Sequence, residues 1–233
     1  MRQALDTSTK KYYEDDFEKV MRSGLTGKIF SVSNRMIEQS FKSNEHFPKI
    51  LELGATGHYH TPFVKCSFDE YHLTDLNPIN PSKSPVNDDR ILTRQLDASN
   101  LRDEQSDSYD RLIATCLVLH LGNLEQVLRE WRRVTKTGGF VSIYVHCEPG
   151  LLLRFLRTIV QVRKRRKNGG SNFYAFVYSE HASHYLHVKH VIRRVFENDH
   201  VKHEFFPFKF LTWNFNFWKI YTIKIEKALD SLN

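Results

Sequence analysis

Short apolar stretches alternate with a helix-forming stretch and polar turns over residues 48–146, and this pattern most constrains the fold of the 233-residue chain. The apolar stretches read KILELG, YHLTDL, ILTRQLDAS, YDRLIATCLVLHL and FVSIYVH, and LEQVLREWRRVT between the last two has helical spacing. Strands that alternate with helices at this spacing predict a mostly parallel sheet covered by helices on both faces. We therefore predict an α/β three-layer sandwich.

Composition excludes several other classes of protein. Hydrophobic residues make up 40% of the chain, enough for an ordinary core, so disordered and collagen-like proteins are excluded. Residues 1–20 are too polar for a secretory signal, and no apolar run approaches the roughly 20 residues that span a bilayer. Cys66, Cys116 and Cys147 are an odd number without metal-ligand spacing. We expect a cytoplasmic protein with reduced thiols and no structural zinc.

Acidic residues follow three successive predicted strands. Glu52 lies two residues before Gly54 at the end of the first strand, Asp75 ends the second, and Asp97 with Ala98 follows the third. The G-x-G-x-x-G spacing of nicotinamide-binding folds is absent after the first strand. A carboxylate at Glu52 suits a ligand with a cationic, amine-bearing tail. Asp75 is placed to accept both ribose hydroxyls of an adenosine, and Asp97 to meet the adenine amine.

Each acidic residue also has a purely structural alternative. Glu52 could cap a helix, and Asp75 could begin a turn through a side-chain hydrogen bond. Asp97, with Ser99, could cap a short helix. Because all three acids occur in order at the ends of predicted strands, a shared ligand is the favoured interpretation.

These features resemble the class I S-adenosylmethionine-dependent methyltransferases, the seven-stranded Rossmann-like family. The resemblance is carried by E-L-G-A-T-G-H at 52–58, T-D-L at 74–76, L-D-A at 96–98, and the strand at 109–121 that L-R-E-W-R-R-V-T-K-T-G-G-F follows. It implies a Rossmann-like, mostly parallel seven-stranded sheet with an antiparallel C-terminal hairpin strand. It also implies S-adenosylmethionine as the cofactor and an oxygen or nitrogen atom as the methyl acceptor.

The resemblance also implies a set of cofactor-binding residues, with Tyr13 in an N-terminal lid: Glu52, Gly54, Thr56, Asp75, Leu76, Asp97, Ala98, Leu117 and Tyr13. One departure concerns the family pattern E-x-G-x-G-x-G, of which only the first glycine remains. Thr56 and His58 occupy the other two places. This departure keeps open a second interpretation, a catalytically degenerate binding or regulatory protein with the same fold.

We predict one methyltransferase domain over residues 1–233, with four parts. Residues 1–47 predict an N-terminal helical cap and residues 48–147 the cofactor-binding core. Residues 148–180 form a basic insertion or lid, and residues 181–233 predict a helix followed by a β-hairpin.

Histidines are the candidate bases, because a hydroxyl acceptor must lose a proton during methyl transfer. His120 is predicted at the end of the fourth strand, where such folds open their ligand crevice. His181 is predicted at the start of the helix after the insertion. His181, His184, His187 and His190 recur every three residues and drift around a helix, so a shared metal site is not expected and no metal is predicted.

The insertion bears on the identity of the acceptor. Residues 154–167 contain seven Lys and Arg and no Asp or Glu, and residues 151–167 predict an amphipathic helix. This helix could be an ordinary lid or could dock onto an anionic membrane surface, with FFPFKFLTWNFNFW as an apolar rim. The expected acceptor is a small molecule, a glycan or a lipid-linked compound. An RNA-directed methyltransferase stays as an alternative because the basic run could bind phosphates, although no RNA-binding motif is present.

Overall fold

The computed structural model describes residues 24–55, 60–79, 86, 88–168 and 181–226, with the helical backbone alone at 24–26 and 160–168. Its helices are α1 Gly24–Glu38, α2 Leu124–Val134, α3 Leu151–Asn168 and α4 Tyr185–Val195. Its strands are β1 Lys49–Leu53, β2 Glu70–Asp75, β3 Ile91–Gln95, β4 Tyr109–Thr115, β5 Thr135–His146, β6 His200–Phe206 and β7 Trp218–Lys224.

The strands form one seven-stranded sheet in the order β3-β2-β1-β4-β5-β7-β6. The pairs among β1 to β5 are parallel, and β7 is antiparallel to both β5 and β6. This topology confirms the predicted Rossmann-like α/β sandwich with an antiparallel C-terminal hairpin strand. The order reverses between β1 and β4, which is where ligands bind in open α/β sheets.

Successive side chains along each strand point to opposite faces of the sheet, so the core has two parts, one on each face. Leu51 and Leu53 of β1 pack in the same cluster as Trp131 of α2 and Val188 of α4. On the opposite face, Ile50 packs with the residues that follow α1, and α1 itself packs on β5 and β7. The sheet is therefore a middle layer between α1 and the pair α2–α4.

Two element boundaries differ from the sequence-based expectation. The apolar run at 109–121 is not a single strand: β4 ends at Thr115, Cys116 has a positive φ of 54°, and Val118–His120 form a one-turn 3-10 helix. The predicted helical cap contains α1, but residues 39–48 are turns, since Phe41 and Phe47 pack against Phe140 of the sheet. Residues 1–23 and 169–180 lie outside the described residues.

Within the described residues, no helix combines the length and apolar character needed to cross a membrane. The three cysteines are free thiols in the structure.

Candidate functional site

The carboxyl ends of β1, β2 and β3 bring the three predicted acids to one edge of the sheet. In the register of the sheet, Glu52 of β1 lies opposite Leu73 of β2, and Asp75 lies opposite Gln95 of β3. Asp97 follows two residues beyond the end of β3. The carboxyl ends of neighbouring parallel strands lie at the same end of the sheet, so the three acidic residues occupy neighbouring positions there.

Glu52 is a buried carboxyl group rather than a helix cap. It lies within β1, is 1% exposed, and accepts a hydrogen bond of 2.5 Å from the Tyr71 hydroxyl. Burial raises the pKa of Glu52, against the opposing effects of the positive charge of His60 and of the Tyr71 hydrogen bond. A cation bound next to Glu52 would favour its ionised form, so this site fits a ligand with a positively charged tail.

Gly54 opens the loop after β1 and has a positive φ of 67°, a conformation that side chains with a Cβ rarely adopt. A Cβ added there would lie 3.0 Å from Cδ1 of Leu117. Gly54 follows β1 and Leu117 follows β4, so this contact spans the point where the strand order reverses. The absence of a Cβ at Gly54 keeps a space beside Leu117 that a larger residue would fill, and the acidic residues at the strand ends fit S-adenosylmethionine.

Asp75 and Asp97 both take part in local turns. Oδ1 of Asp75 accepts from the backbone N–H of Asn77 at 2.9 Å, and Oδ1 of Asp97 accepts from the backbone N–H and the hydroxyl of Ser99 at 2.8 and 2.7 Å. The structural alternatives are therefore present, without the short helix expected after Asp97. These bonds use Oδ1 of each carboxylate, so they orient the group without defining the role of Oδ2.

The remaining predicted cofactor residues divide into two groups. Leu76 is 45% exposed beside the end of β2, and Ala98 is buried, with its carbonyl oxygen accepting from Nε1 of Trp131 at 2.9 Å. That bond fixes the turn after β3 to α2. Thr56 and Tyr13 lie outside the described residues.

The two candidate bases, His120 and His181, come together in the structure. Their ring centroids are 4.7 Å apart, with the planes at 72°. His120 belongs to the one-turn helix instead of the end of β4, and His181 lies four residues before α4 instead of at its start. Backbone N–H groups of Ala182 and Ser183 donate to the carbonyl oxygen of Leu119 at 2.8 and 3.1 Å, which holds the two segments side by side.

Glu148, which the sequence analysis did not single out, orients His181. Nδ1 of His181 lies 2.7 Å from Oε2 of Glu148, and Arg157 of α3 forms an ion pair with Oε1. Burial acts to raise the pKa of Glu148, but the His181 hydrogen bond and, in the acid range where Glu148 titrates, the positive charges of His146 and Arg157 outweigh it and lower this pKa to about 2. In the neutral form of His181, an ionised Glu148 accepts the proton of Nδ1, and Nε2 then carries the lone pair.

His146, the last residue of β5, completes this cluster. Its Nε2 lies 3.5 Å from Sγ of Cys116, and its Nδ1 lies 3.3 Å from the Tyr144 hydroxyl. Burial lowers the pKa of His146 to about 4, with Arg157 and the neighbouring histidines acting in the same direction. His146 is therefore neutral at physiological pH and contributes an uncharged polar side chain to the cluster. No three His, Cys, Asp or Glu side chains among the described residues are arranged to hold a metal.

A second buried network lies close enough to Glu52 to affect its pKa. Oε1 of Glu38, at the end of α1, accepts from Nη2 of Arg111 at 2.6 Å and lies 2.8 Å from Nε2 of His60. Nδ1 of His60 lies 2.9 Å from Oδ1 of Asn34, and Glu38, Arg111 and His60 are all fully buried. This network ties α1 and β4 to His60, which precedes the one-turn 3-10 helix Thr61–Phe63.

Some of these residues could have been found from sequence. Glu148 stands two residues after the end of β5, the position that singled out Asp97 after β3. The same criterion, an acidic residue just beyond the end of a strand, would therefore have identified Glu148. Glu38 and Arg111 carry no such signal, because charged residues inside a helix and a strand are usually solvated.

Comparisons with known proteins agree with this architecture. Residues 51–143 match the methyltransferase domain family. A search of curated protein sequences finds no match to this chain.

Solved structures show the same fold. One is a chain of the Haloferax volcanii complex between the Trm112 methyltransferase activator and a protein considered a methyltransferase, with TM-score 0.66 and 13% identity, covering 97% of this chain and 100% of that one. A second, a methyltransferase from Thermotoga maritima, has TM-score 0.57 and 15% identity, covering 92% and 97%. A third, from Mesorhizobium loti, has TM-score 0.56 and 12% identity, covering 86% and 100%. At these identities the likeness is one of fold.

Proposed function

We propose that this chain, whose residues 51–143 match the methyltransferase domain family and whose fold is that of the class I enzymes, transfers a methyl group from S-adenosylmethionine to an oxygen or nitrogen acceptor. The proposal rests mainly on the short connection between the two candidate subsites. The backbone N–H of His120 donates to the carbonyl oxygen of Leu117 at 2.9 Å, and Leu117 contacts the Gly54 loop. The His120–His181 pair therefore borders the predicted cofactor edge.

The cofactor edge supplies the residues that would hold S-adenosylmethionine. Gly54 and Leu117 would form the floor, Glu52 would face the cationic end, and Asp75 would accept the ribose hydroxyls, with Asp97 near the adenine. The bound cofactor supplies a methyl group that its sulfonium already activates. The protein then mainly aligns the reactants and excludes water.

His181 is the proposed base for a hydroxyl acceptor. Nε2 of His181 would take the proton of the acceptor hydroxyl as the acceptor oxygen bonds to the methyl carbon, and the bond between that carbon and the sulfonium sulfur would break to leave a neutral thioether. Glu148 keeps Nδ1 protonated and stabilises the imidazolium that results, because its carboxylate lies 2.7 Å from that nitrogen. His120 packs edge-on against the ring and limits its rotation.

The same site favours an acceptor with polar groups. Nη1 of Arg157 is buried and has no hydrogen-bond partner among the described residues. A buried guanidinium nitrogen without a partner is costly, so a polar oxygen of the substrate is a suitable partner for it. Small polar molecules, glycans and lipid-linked glycans all offer such oxygens beside a hydroxyl acceptor.

A second candidate function is a binding or regulatory protein that has the fold without the catalysis. Thr56 and His58, in place of two family glycines, favour it. The enzyme predicts methyl transfer to some acceptor, whereas the binding or regulatory protein predicts none.

The test is a transfer screen with S-adenosylmethionine labelled on its methyl carbon. The purified chain is incubated with lysate separated into small molecules, glycans, lipid extract and RNA. We expect label in one of the first three fractions and none with heat-denatured protein. Label in RNA would assign the acceptor to the RNA alternative, and cofactor binding without label in any fraction would support the regulatory protein.

A further inference from the structure

Most of the large hydrophobic side chains that the described residues expose come from two segments, the start of α3 and the loop between β6 and β7. Phe210 is 99% exposed and Phe155 is 63% exposed. We call this set the apolar rim, and it comprises Leu151, Phe155, Leu156, Phe208, Phe210, Leu211 and Phe215. Soluble monomers rarely expose so many large apolar groups in one place without a binding partner.

The two segments form one surface because their backbones are in contact. A Cβ added at Gly150, just before α3, would lie 2.9 Å from the carbonyl oxygen of Trp213 and 3.4 Å from Cα of Asn214. Trp213 begins the one-turn 3-10 helix Trp213–Phe215, which packs against α3. The exposed side chains of the helix and the loop are therefore carried by two segments that pack against each other.

The loop between β6 and β7 is held in place from within. The buried side chain of Asn216 accepts from the backbone N–H of Phe208 at 2.7 Å and donates to the carbonyl oxygens of Leu211 and Thr212 at 3.1 and 3.0 Å. The aromatic side chains thus project from a loop whose conformation these hydrogen bonds fix. Their exposure is a consequence of its defined conformation.

Positive charge lies next to the apolar rim. The backbone of α3 continues as helix to Asn168, through the run Arg163–Lys167, in which all five residues are basic. Residues 149–168 contain no Asp or Glu. Exposed Arg154 on α3 adds another cation beside the apolar side chains, whereas Lys209 in the loop is ion-paired with Glu204.

We propose that the apolar rim and the basic end of α3 dock together on the surface of an anionic lipid bilayer. Aromatic and leucine side chains insert at the boundary between headgroups and acyl chains, and basic residues bind the anionic headgroups. A second copy of the chain is a poorer occupant, because it would bring two basic runs together. Nucleic acid would match the charge but not the aliphatic side chains.

The docking surface adjoins the site formed by His120, His181 and Glu148. Arg157, between the apolar start and the basic end of α3, forms the ion pair with Glu148 that also orients His181. A bilayer bound to α3 would therefore lie next to the proposed acceptor site. The docking itself is independent of methyl transfer, and its test measures binding alone.

Vesicle sedimentation with the full chain tests the proposal. The vesicles consist of phosphatidylcholine with phosphatidylglycerol, or of phosphatidylcholine alone. We expect the chain to bind the anionic vesicles. Its partition coefficient should be lower by about tenfold or more on neutral vesicles or in high salt. The double variant Phe155→Ser with Phe210→Ser, and separately the change of Arg163–Lys167 to glutamine, should each weaken binding by about tenfold or more.

The matched control for the apolar rim is Leu92→Ser. Leu92 is 42% exposed on β3, at the other edge of the sheet, so its replacement should leave vesicle binding unchanged. Failure of the anionic vesicles to retain the intact chain would overturn the proposal, as would an equal loss in the control variant. A dimer in size-exclusion chromatography that Phe210→Ser disperses, without vesicle binding, would assign the rim to a second copy. Retention of RNA that needs the basic run but not the rim would assign the run to nucleic acid.

Discussion

Replacing His181 by glutamine is expected to lower the rate of methyl transfer to a hydroxyl acceptor by about a hundredfold to ten-thousandfold. Glutamine can still donate a hydrogen bond to Glu148, but it cannot take a proton from the acceptor. The loss should appear in kcat, measured with the acceptor that the transfer screen identifies. The affinity for S-adenosylmethionine should stay within about twofold, because His181 is not among the residues assigned to the cofactor.

The control for this variant is His190→Gln. His190 is exposed on α4, whereas His181 lies before that helix, and the His190→Gln variant should leave kcat unchanged. Glu148→Gln should lower kcat by a smaller factor and shift the pH profile, since the amide can no longer stabilise the imidazolium. An unchanged kcat in His181→Gln would contradict the assignment of the base.

Replacing Glu38 by glutamine is expected to lower the free energy of unfolding by roughly 3–5 kcal/mol. The substitution leaves the Arg111 guanidinium fully buried without its counter-ion, although that guanidinium also packs 3.9 Å from the ring centroid of Phe41. Chemical denaturation monitored by circular dichroism measures the loss. Arg129→Gln is the control, because Arg129 is exposed and its pair with Glu125 contributes about 0–1 kcal/mol.

The same network gives the chain a defined sensitivity to acid. Burial acts to raise the pKa of Glu38, but the charges of Arg111 and His60 and their hydrogen bonds outweigh it and lower this pKa from 4.5 to about 2. Because the folded-state pKa is depressed, the stabilisation is complete above pH 4.5 and is lost as the pH falls toward 2. Glu38→Gln should flatten this part of the stability profile. A variant as stable and as acid-sensitive as the original chain would show that the network contributes little.

The sequence predicted the fold well because the relevant signals are local. Apolar strands with acids at their ends predicted the succession of strands along residues 48–146 and placed Glu52 and Asp75 at strand ends, since both the hydrophobic period and the turn chemistry lie in consecutive residues. The error at 109–121 has a physical cause. Leu117, Val118 and Leu119 are apolar because they pack in or against the largest hydrophobic cluster, and apolar character alone cannot separate a strand from a buried turn.

The candidate acceptor site was only partly predictable. His120 and His181 were identified as single residues, but their contact depends on backbone hydrogen bonds from Ala182 and Ser183 to Leu119, which no sequence spacing reveals. Arg157 reaches Glu148 only because α3 folds back from the end of β5. The Glu38–Arg111 pair joins residues 73 positions apart, so it is a property of the tertiary structure alone.

The central claim is that the edge formed by β1, β2 and β3 binds S-adenosylmethionine on the Gly54 backbone. Calorimetric titration of the purified chain with S-adenosylmethionine tests this most directly, with Gly54→Ala and Gly122→Ala as a matched pair. A Cβ at Gly54 meets Leu117 at 3.0 Å in a left-handed conformation, whereas a Cβ at Gly122 meets nothing within 4 Å. We predict saturable one-site binding that Gly54→Ala weakens by about tenfold and Gly122→Ala leaves unchanged. No saturable heat from the intact chain, or equal affinity in both variants, would contradict the account.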